Sequence, residues 1–213
     1  MKTLIYIGAN RGYGLYQLLT KRQFDIVYAF EPDPEIFQQL KNNYKNLPQV
    51  KCINVACTSS TGEGSLYITE NRVSSSLGDV NMSNQEELGG HSGGKSPIKV
   101  IQVQTINLKE FCDGNNINHI DLLVTDCQGS DHNILTSMKT FIDNKQIDEI
   151  FSETHKDGVE MYIGLNNQLS KFKELLNENY QISYFSADGH FIDANNFDEL
   201  SKHNEWDTCW KVR

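Results

Sequence analysis

The sequence lacks the features that mark several large classes of protein. Its 213 residues contain no run rich in lysine and arginine, and 19 basic against 28 acidic residues give a net charge of −9. Sequence-independent binding to phosphate backbones needs clustered cations, so we expect no nucleic-acid partner. No apolar run approaches the roughly 20 residues of a membrane-spanning helix, so we expect no membrane partner either.

Cysteine is scarce and scattered. The five cysteines are odd in number and form no CxxC pair. A disulfide framework or zinc site is therefore not expected. The apolar run near the start, Leu4 to Ile7, is shorter than the roughly 7–15 residues of a signal peptide. Together these absences predict a cytoplasmic protein.

Short apolar runs alternate with helix-like patterns along the whole chain. Strands are predicted at Thr3–Ile7 and Ile26–Phe30, and helices at Tyr13–Lys21 and Pro34–Tyr44, the latter capped by Asp33. Further strands are predicted at 50–55, 64–69, 98–105, 119–125, 147–153, 181–186 and 207–213, the last at a sheet edge, and further helices at 108–112, 133–141 and 166–179. This alternation predicts one domain, residues 1–213, with a doubly wound, mostly parallel sheet.

Residues 70–96 differ from the rest in their high content of Ser, Asn and Gly. They predict a flexible loop, with a short helix around 84–88, that could serve as a lid. Within it, "GGHSGGKS" (89–96) matches the P-loop formula letter for letter. A P-loop needs a buried strand before it and a helix at its lysine, whereas a polar loop precedes this stretch and Pro97 follows it. We therefore interpret it as loop.

Small or acidic residues follow the predicted strands, where open α/β sheets bind their ligands. Glu31 ends the second strand, 19 residues after Gly12, and could accept hydrogen bonds from both ribose hydroxyls of an adenosine ligand. That spacing fits both NAD and S-adenosylmethionine (SAM) enzymes. Asn10 breaks the G-x-G-x-x-G pattern that a pyrophosphate needs, whereas Gly8 to Gly12 gives the looser G-x-x-x-G. The pattern favours SAM and leaves an NAD-dependent oxidoreductase as the alternative.

Three further residues are candidates for catalysis. Asp126 ends a buried strand in "TDCQGSDHNIL", where it could cap the next helix or face the donor or acceptor. Glu153 and His155 are two apart, so on an extended chain they share one face, and a histidine there could take a proton from a hydroxyl. Asp126 and Asp131 could contribute to a divalent-metal site, but nothing demands one, and no metal is predicted.

Read in order, several motifs resemble the FkbM family of SAM-dependent methyltransferases. They are "IGANRG", "FEPDPEIFQQLKNN", "NVACTSSTGEGSLYI", "VQTINLKEF" and "IDLLVTDCQGSDHNIL", within residues 3–155. The chain departs from the family pattern at Gln128, where a Glu is usual, and at Asp131, which also replaces a Glu. The resemblance implies a Rossmann-like class I methyltransferase fold with seven strands, the last antiparallel.

The resemblance also implies O-methylation of a hydroxyl on a sugar, glycan or small-molecule acceptor, with SAM as the cofactor. The residues expected to bind SAM are Gly8, Ala9, Asn10 and Gly12 at the methionine end, Glu31 and Pro32 at the ribose, Val55, Ala56 and Cys57 at the adenine, and Asp126. Asp126, Glu153 and His155 are the catalytic candidates. A catalytically silent SAM- or carbohydrate-binding protein is a further alternative, and the sequence does not specify the oligomeric state.

Overall fold

The computed structural model describes residues 1–79, 81, 97–187 and 189–213. The strands are β1 (Thr3–Ile7), β2 (Ile26–Phe30), β3 (Val50–Ile53), β4 (Ala56–Thr58), β5 (Gly62–Thr69), β6 (Pro97–Asn107), β7 (Ile120–Thr125), β8 (Ile147–His155), β9 (Tyr180–Ala187), β10 (His190–Asp193) and β11 (Glu205–Val212). The helices are α1 (Tyr13–Lys21), α2 (Pro34–Tyr44), α3 (Leu108–Gly114), α4 (Asp131–Ser137), α5 (Lys139–Asp143), α6 (Leu169–Leu176) and α7 (Phe197–Leu200).

Eight strands form the main sheet, in the order β10-β9-β11-β8-β7-β1-β2-β3. The five strands from β8 to β3 pair in parallel, and β11 runs antiparallel to both of its neighbours, β8 and β9. The strand order reverses between β2 and β7, on the two sides of β1. In a doubly wound sheet this reversal opens a crevice at the carboxyl ends of the strands.

The predicted α/β class and the antiparallel last strand are confirmed, with two corrections to the sheet. The main sheet has eight strands rather than seven, because β10 folds back on β9 as an antiparallel hairpin. The last strand does not lie at an edge, as its pattern predicted, but between β8 and β9. Its buried residues Thr208, Cys209 and Trp210 explain this position, since an edge strand would expose more of them.

A second sheet of three strands, in the order β4-β6-β5, stands beside the main one. The strand predicted over 50–55 ends at Ile53, and the chain enters the second sheet at Ala56. Asn54 fixes this change of direction, because its side-chain amide donates to the Glu31 and Pro32 carbonyl oxygens at 2.8 and 3.0 Å. The residues after β3 are thereby held beside the end of β2.

The first two helices have the predicted bounds, and Asp33 caps α2 by accepting hydrogen bonds from the Glu35 and Ile36 amides. The helix predicted over 133–141 is two short helices, α4 and α5, separated at the buried Met138. The helix predicted over 166–179 is confined to α6. The predicted helix at 84–88 and the P-loop-like stretch 89–96 lie outside the described residues.

Apolar side chains from the helices pack on both faces of the main sheet. One cluster joins Ile5 and Leu123 to α4 and α6, and the other joins Leu4 and Val27 to α1 and α2. All five cysteines are free thiols, as the sequence predicted. Among the described helices, none has the length and apolar character needed to cross a bilayer.

Candidate functional site

A pocket opens at the carboxyl ends of the strands on both sides of β1, where the strand order reverses; we call it the main pocket. It contains about 660 Å³ of open space, part of it continuous with solvent. That volume lies within the range of small-molecule and cofactor sites. Its lining residues are Ile7, Gly8, Asn10, Glu31, Pro32, Val55, Ala56, Cys57, Leu66, Arg72, Val73, Ser75, Ser76, Leu77, Asp126, Cys127, Gln128 and Ser130.

The loop after β1 forms the floor of the main pocket. Gly8 has φ 78°, and a Cβ there would lie 1.9 Å from the carbonyl oxygen of Asp126, so only glycine lets the two chain segments approach this closely. The next turn places Asn10 at φ 48°, a left-handed conformation that asparagine tolerates better than most residues. Asn10 therefore suits the backbone conformation of this turn, although it stands where the dinucleotide pattern has a glycine.

Glu31 is a buried carboxylate held by backbone amides. Its Oε2 accepts a hydrogen bond from the Asn10 amide at 2.9 Å, and its Oε1 accepts one from the Asp33 amide at 2.8 Å. Burial raises the pKa of Glu31 to about 7 against the lowering effect of these two bonds. Each carboxylate oxygen can accept more than one hydrogen bond, so both remain able to bind hydroxyl groups of a ligand.

The wall opposite the β1 loop is apolar. Val55, Ala56 and Cys57 come from the change of sheet after β3, and Leu66 and Leu77 close the same side. Burial raises the pKa of the Cys57 thiol well above its ordinary value, so this cysteine stays a neutral, apolar group. Such a wall suits a flat heteroaromatic ring.

Residues 71–77 lie across the main pocket and are anchored on both sides of it. On one side the Asn10 side-chain amide donates to the Arg72 carbonyl oxygen at 2.9 Å, and the Arg72 guanidinium pairs with Asp33 at 2.9 Å and with Glu35 at 2.8 Å. On the other side the Ser76 hydroxyl donates to the Gln128 carbonyl oxygen at 2.6 Å. The segment therefore covers part of the pocket as a fixed strap.

Gln128 links the carboxylates at the far end of the main pocket. Its Nε2 donates to Asp126 Oδ1 at 3.0 Å and to Glu153 Oε1 at 3.1 Å, and its Oε1 accepts from the Tyr162 hydroxyl at 2.6 Å. An amide group can donate to two carboxylates at once, which a glutamate at the same position could not do. The departure from the family pattern at this residue thus has a structural reason.

Asp131 braces the turn that carries Gln128. It is fully buried, and its two oxygens accept hydrogen bonds from the Cys127 amide at 3.1 Å and the Asn167 side chain at 2.6 Å. Both of its oxygens are thus used within the fold, and the residue does not line the main pocket.

A second depression adjoins the main pocket and shares Asp126 and Gln128 with it; we call it the acidic cleft. It is lined by Asp126, Gln128, Glu153, Ser186, Ala187, Glu205, Trp206 and Asp207. Burial and then the surrounding carboxylates raise the pKa values of Asp126 and Glu153, and they raise the pKa of Asp207 to about 7. The cleft is thus a concentration of negative or protonated carboxyl groups.

The structure brings most of the predicted site residues to one place. Those that line the main pocket are Gly8, Asn10, Glu31, Pro32, Val55, Ala56, Cys57 and Asp126. Glu153 lines the acidic cleft, and the buried His155 lies behind it, with Nε2 4.0 Å from Glu153 Oε2.

Two predicted cofactor residues lie outside the lining of the main pocket. Ala9 is buried in the core beneath the β1 loop. Gly12 packs against α2, where the Tyr44 hydroxyl donates to its carbonyl oxygen at 2.6 Å and a Cβ would lie 2.3 Å from the Tyr44 ring. Their place in cofactor binding stays a prediction, and their observed contacts are structural.

Sequence reasoning missed several residues that shape the site: Leu66, Arg72, Leu77, Cys127, Ser130 and Tyr162. Arg72 follows a strand by three residues in a polar loop, and no local pattern marks it. Tyr162 reaches Gln128 across 34 residues of sequence, a contact for which a single chain gives no signal.

Comparisons with known proteins agree with this geometry. The sequence profile described as the methyltransferase FkbM domain matches residues 7–188. Among solved structures, the chain is similar to the methyltransferase FkbM from Methylobacillus flagellatus KT, with a TM-score of 0.55 and 14% identity over 100% of this chain and 43% of that one. It is also similar to M. capricolum TrmK in complex with S-adenosyl-homocysteine, with a TM-score of 0.50 and 15% identity over 99% of this chain and 62% of that one.

A third similar structure is SMU.1697c, a putative methyltransferase from Streptococcus mutans in complex with SAH, with a TM-score of 0.50 and 9% identity over 100% of this chain and 89% of that one. The chain thus spans less than two thirds of the first two structures it matches. A search of the curated proteins found no match.

Proposed function

The chain belongs to the FkbM family of SAM-dependent methyltransferases, and from this premise we propose that it methylates a hydroxyl oxygen of an uncharged sugar, glycan or small-molecule acceptor. S-adenosyl-L-methionine is its cofactor. The position of the acidic cleft next to the main pocket is the observation that supports this choice of acceptor.

The residues of the main pocket match the chemical groups of SAM, in the order in which those groups follow one another along the molecule. The Glu31 carboxylate would accept hydrogen bonds from the ribose hydroxyls, and the apolar wall of Val55, Ala56 and Cys57 would contact the adenine. The β1 loop, with Gly8 and Asn10, and the carboxylate of Asp126 would hold the charged methionine end. We also propose that residues 71–77 are part of a lid over the bound cofactor, which excludes water from the reaction.

The acceptor would enter through the acidic cleft. Glu153, Glu205 and Asp207 line it, and carboxylates accept hydrogen bonds from hydroxyl groups but repel phosphates. The cleft therefore disfavours a polyanionic acceptor. We therefore propose a neutral, hydroxyl-rich acceptor.

When bound, SAM supplies a methyl group on a positively charged sulfur, so a well-aligned nucleophile needs little further activation. Most of the rate would come from alignment of the acceptor oxygen. Asp126 lines both the main pocket and the acidic cleft, so we propose that it orients the acceptor hydroxyl and takes its proton. Its raised pKa suits a proton acceptor at neutral pH. Glu153, backed by His155, would hold a second acceptor hydroxyl.

The test is transfer of labelled methyl from SAM to a panel of neutral glycans, hydroxylated metabolites and RNA transcripts. We expect label in a neutral hydroxylated compound, and the label should resist mild alkali because methyl ethers, unlike methyl esters, do not hydrolyse. Asp126→Asn, which keeps an oxygen for Gln128, should lower kcat by about 100-fold, in the range of lost acid–base catalysis. Label confined to RNA, or released by alkali, would contradict the proposal.

Two alternative functions give different results in binding experiments. A silent SAM-binding protein would bind S-adenosylhomocysteine (SAH) and transfer no methyl group to any acceptor in the panel. An NAD-dependent oxidoreductase would be stabilised against thermal unfolding by NAD rather than by SAH.

A further inference from the structure

Three side chains with metal-binding atoms converge at the inner end of the acidic cleft. β8 and β11 pair antiparallel with His155 opposite Glu205, and directly opposed residues project to the same face of a sheet. Glu153 precedes His155 by two residues and so projects to that face as well. The ligand atoms of the three side chains all lie within 4.8 Å of one another.

One oxygen in this group is buried without a hydrogen bond. Glu153 Oε1 accepts from Gln128, whereas Oε2 has no hydrogen-bond donor in the part of the chain that the structure describes. Glu153 is only 7% exposed, so water does not replace the missing donor freely, and a buried carboxylate oxygen left in this way is costly. A bound cation would remove that cost.

The distance between two of the ligand atoms fits an ion better than a hydrogen bond. His155 Nε2 and Glu153 Oε2 are 4.0 Å apart, beyond hydrogen-bond length. Two ligand atoms that each lie about 2.1 Å from one ion can be at most about 4.2 Å apart. The third ligand comes from the exposed Glu205, whose carboxylate oxygen lies within 4.8 Å of the other two ligand atoms.

The negative charge around these three side chains also favours the binding of a cation. The carboxylates of Asp126, Asp131, Glu205 and Asp207 all lie near Glu153 and repel further negative charge. A divalent ion would offset this repulsion, because it attracts every carboxylate near it.

We propose that Glu153, His155 and Glu205 bind one divalent transition-metal ion at the acidic cleft. One imidazole nitrogen with two carboxylates suits Mn²⁺ or Zn²⁺ better than Mg²⁺ or Ca²⁺, which prefer oxygen ligands alone. Since three protein ligands leave coordination positions open, the ion could bind hydroxyls of the acceptor and lower the pKa of the one to be methylated. That second step rests on the proposed function; the binding of the ion does not.

The chain contains a matched control on its surface. His119, Asp121 and Asp148 also bring three ligand atoms together, but His119 already pairs with Asp148 at 3.2 Å, and Asp121 Oδ2 accepts from the Thr3 amide at 2.7 Å. This trio has no buried oxygen left without a donor, so we expect it to bind an ion weakly at most.

The experiment is calorimetric titration of Mn²⁺, and separately of Zn²⁺, into the full chain after treatment with a chelator. We expect one ion per chain for at least one of the two metals, with the affinity reduced at least tenfold in Glu153→Gln and in Glu205→Gln and unchanged in Asp148→Asn. Glu205 is exposed, so its variant should fold normally, and unfolding temperatures without metal will verify this.

Absence of one-to-one binding of either metal would overturn the proposal. Equal affinities in the wild type and a folded Glu205→Gln variant would do the same, as would a loss confined to Asp148→Asn, which would assign the ion to the surface trio. The readout needs neither SAM nor an acceptor, so the metal site and the methyl transfer can fail independently.

Discussion

The main pocket and the acidic cleft hold their carboxylates in opposite ways. In the main pocket Glu31 receives two backbone amide hydrogen bonds, from residues that lie 21 positions before it and two after it. In the acidic cleft Asp126 and Glu153 share the single side-chain amide of Gln128, and Glu205 and Asp207 add further negative charge.

This difference separates a preformed site from an incomplete one. The Glu31 carboxylate is fixed by the backbone before any ligand arrives, which lowers the cost of ordering it on binding. The acidic cleft retains an oxygen of Glu153 without a donor, so it becomes fully satisfied only when something positive or hydrogen-bonding enters. Five experiments can test this contrast.

The largest effect is expected from Glu31→Ala. In the proposed binding mode the substitution removes two charge-assisted hydrogen bonds to the cofactor, each worth about 1.5 kcal/mol or more, so the Kd for SAH should rise about 100-fold. Calorimetric titration of SAH measures the change. Glu63→Ala, which removes an exposed carboxylate from β5, is the control and should keep the wild-type affinity. An unchanged Kd in Glu31→Ala would remove Glu31 from the cofactor site.

Gln128→Glu should destabilise the fold by about 2 kcal/mol, because it replaces the shared amide by a third carboxylate that faces two others. Urea unfolding at pH 7.5 measures the difference. Gln104→Glu is the matched control, since Gln104 also donates to a carboxylate, Glu63, but on the exposed face of the small sheet. If both variants lost the same stability, the special role of Gln128 would be refuted.

The pH dependence of SAH binding should follow Glu31. Its pKa of about 7 means that the ionised fraction rises about tenfold between pH 6 and pH 8, and the affinity should rise in proportion. Titrations across that range measure the slope, which Glu31→Gln should abolish. A flat profile in the wild type would show that the ionised carboxylate is not what binds the ribose.

The raised pKa of Glu31 has the opposite effect on stability, which should fall as the pH rises. Because burial raises the pKa of Glu31 above its ordinary value of 4.5, the folded state holds this proton more tightly than the unfolded state does. Its contribution to stability is fully present below about pH 4.5 and is lost as the pH rises to about 7 and above. Urea unfolding of the wild type and of Glu31→Gln over this pH range isolates the contribution of Glu31 to the free energy of unfolding.

The smallest effect is expected from Arg72→Gln, which removes the ion pairs that anchor residues 71–77. Partly exposed ion pairs contribute up to about 1 kcal/mol, so SAH should dissociate up to about fivefold faster. Stopped-flow displacement measures this rate. Arg22→Gln removes the partly exposed pair with Glu149, neither residue of which lines the main pocket, and should leave the rate unchanged. Equal rates in all three proteins would argue against the lid.

Much of the first half of the fold could be predicted because its signals are local. The bounds of β1, α1, β2 and α2 followed from apolar periodicity together with Asp33 and Pro34 at the helix start. Glu31 could be recognised because a carboxylate at the tip of an apolar strand has few structural reasons to be there. The part of the main pocket formed by Gly8, Asn10, Glu31, Pro32 and residues 55–57 is encoded within residues 8–57.

The second half was predicted less well because its determinants are distant in sequence. The alternation of residues in β11 predicts a strand but does not show which strands lie beside it. The burial of Trp210 between two strands is visible only in the folded protein. Their positions at strand ends are what mark Asp126 and Glu153 in the sequence. Nothing in the sequence indicated that Gln128 would join them or that Glu205 would lie opposite His155.

By itself the sequence determined the α/β class, the loop after β1 and the carboxylate of Glu31, because periodicity, glycine placement and strand-end chemistry act over a few residues. Only the tertiary structure decided what surrounds Asp126 and Glu153. The insertion of β11 beside β8 brings Glu205 and Asp207 to these residues, across some 50 positions of chain from Glu153 and some 80 from Asp126. Their proximity around the buried Glu153 then turns separate carboxylates into one interacting group, since charge interactions depend on distance and solvent access rather than on order along the chain.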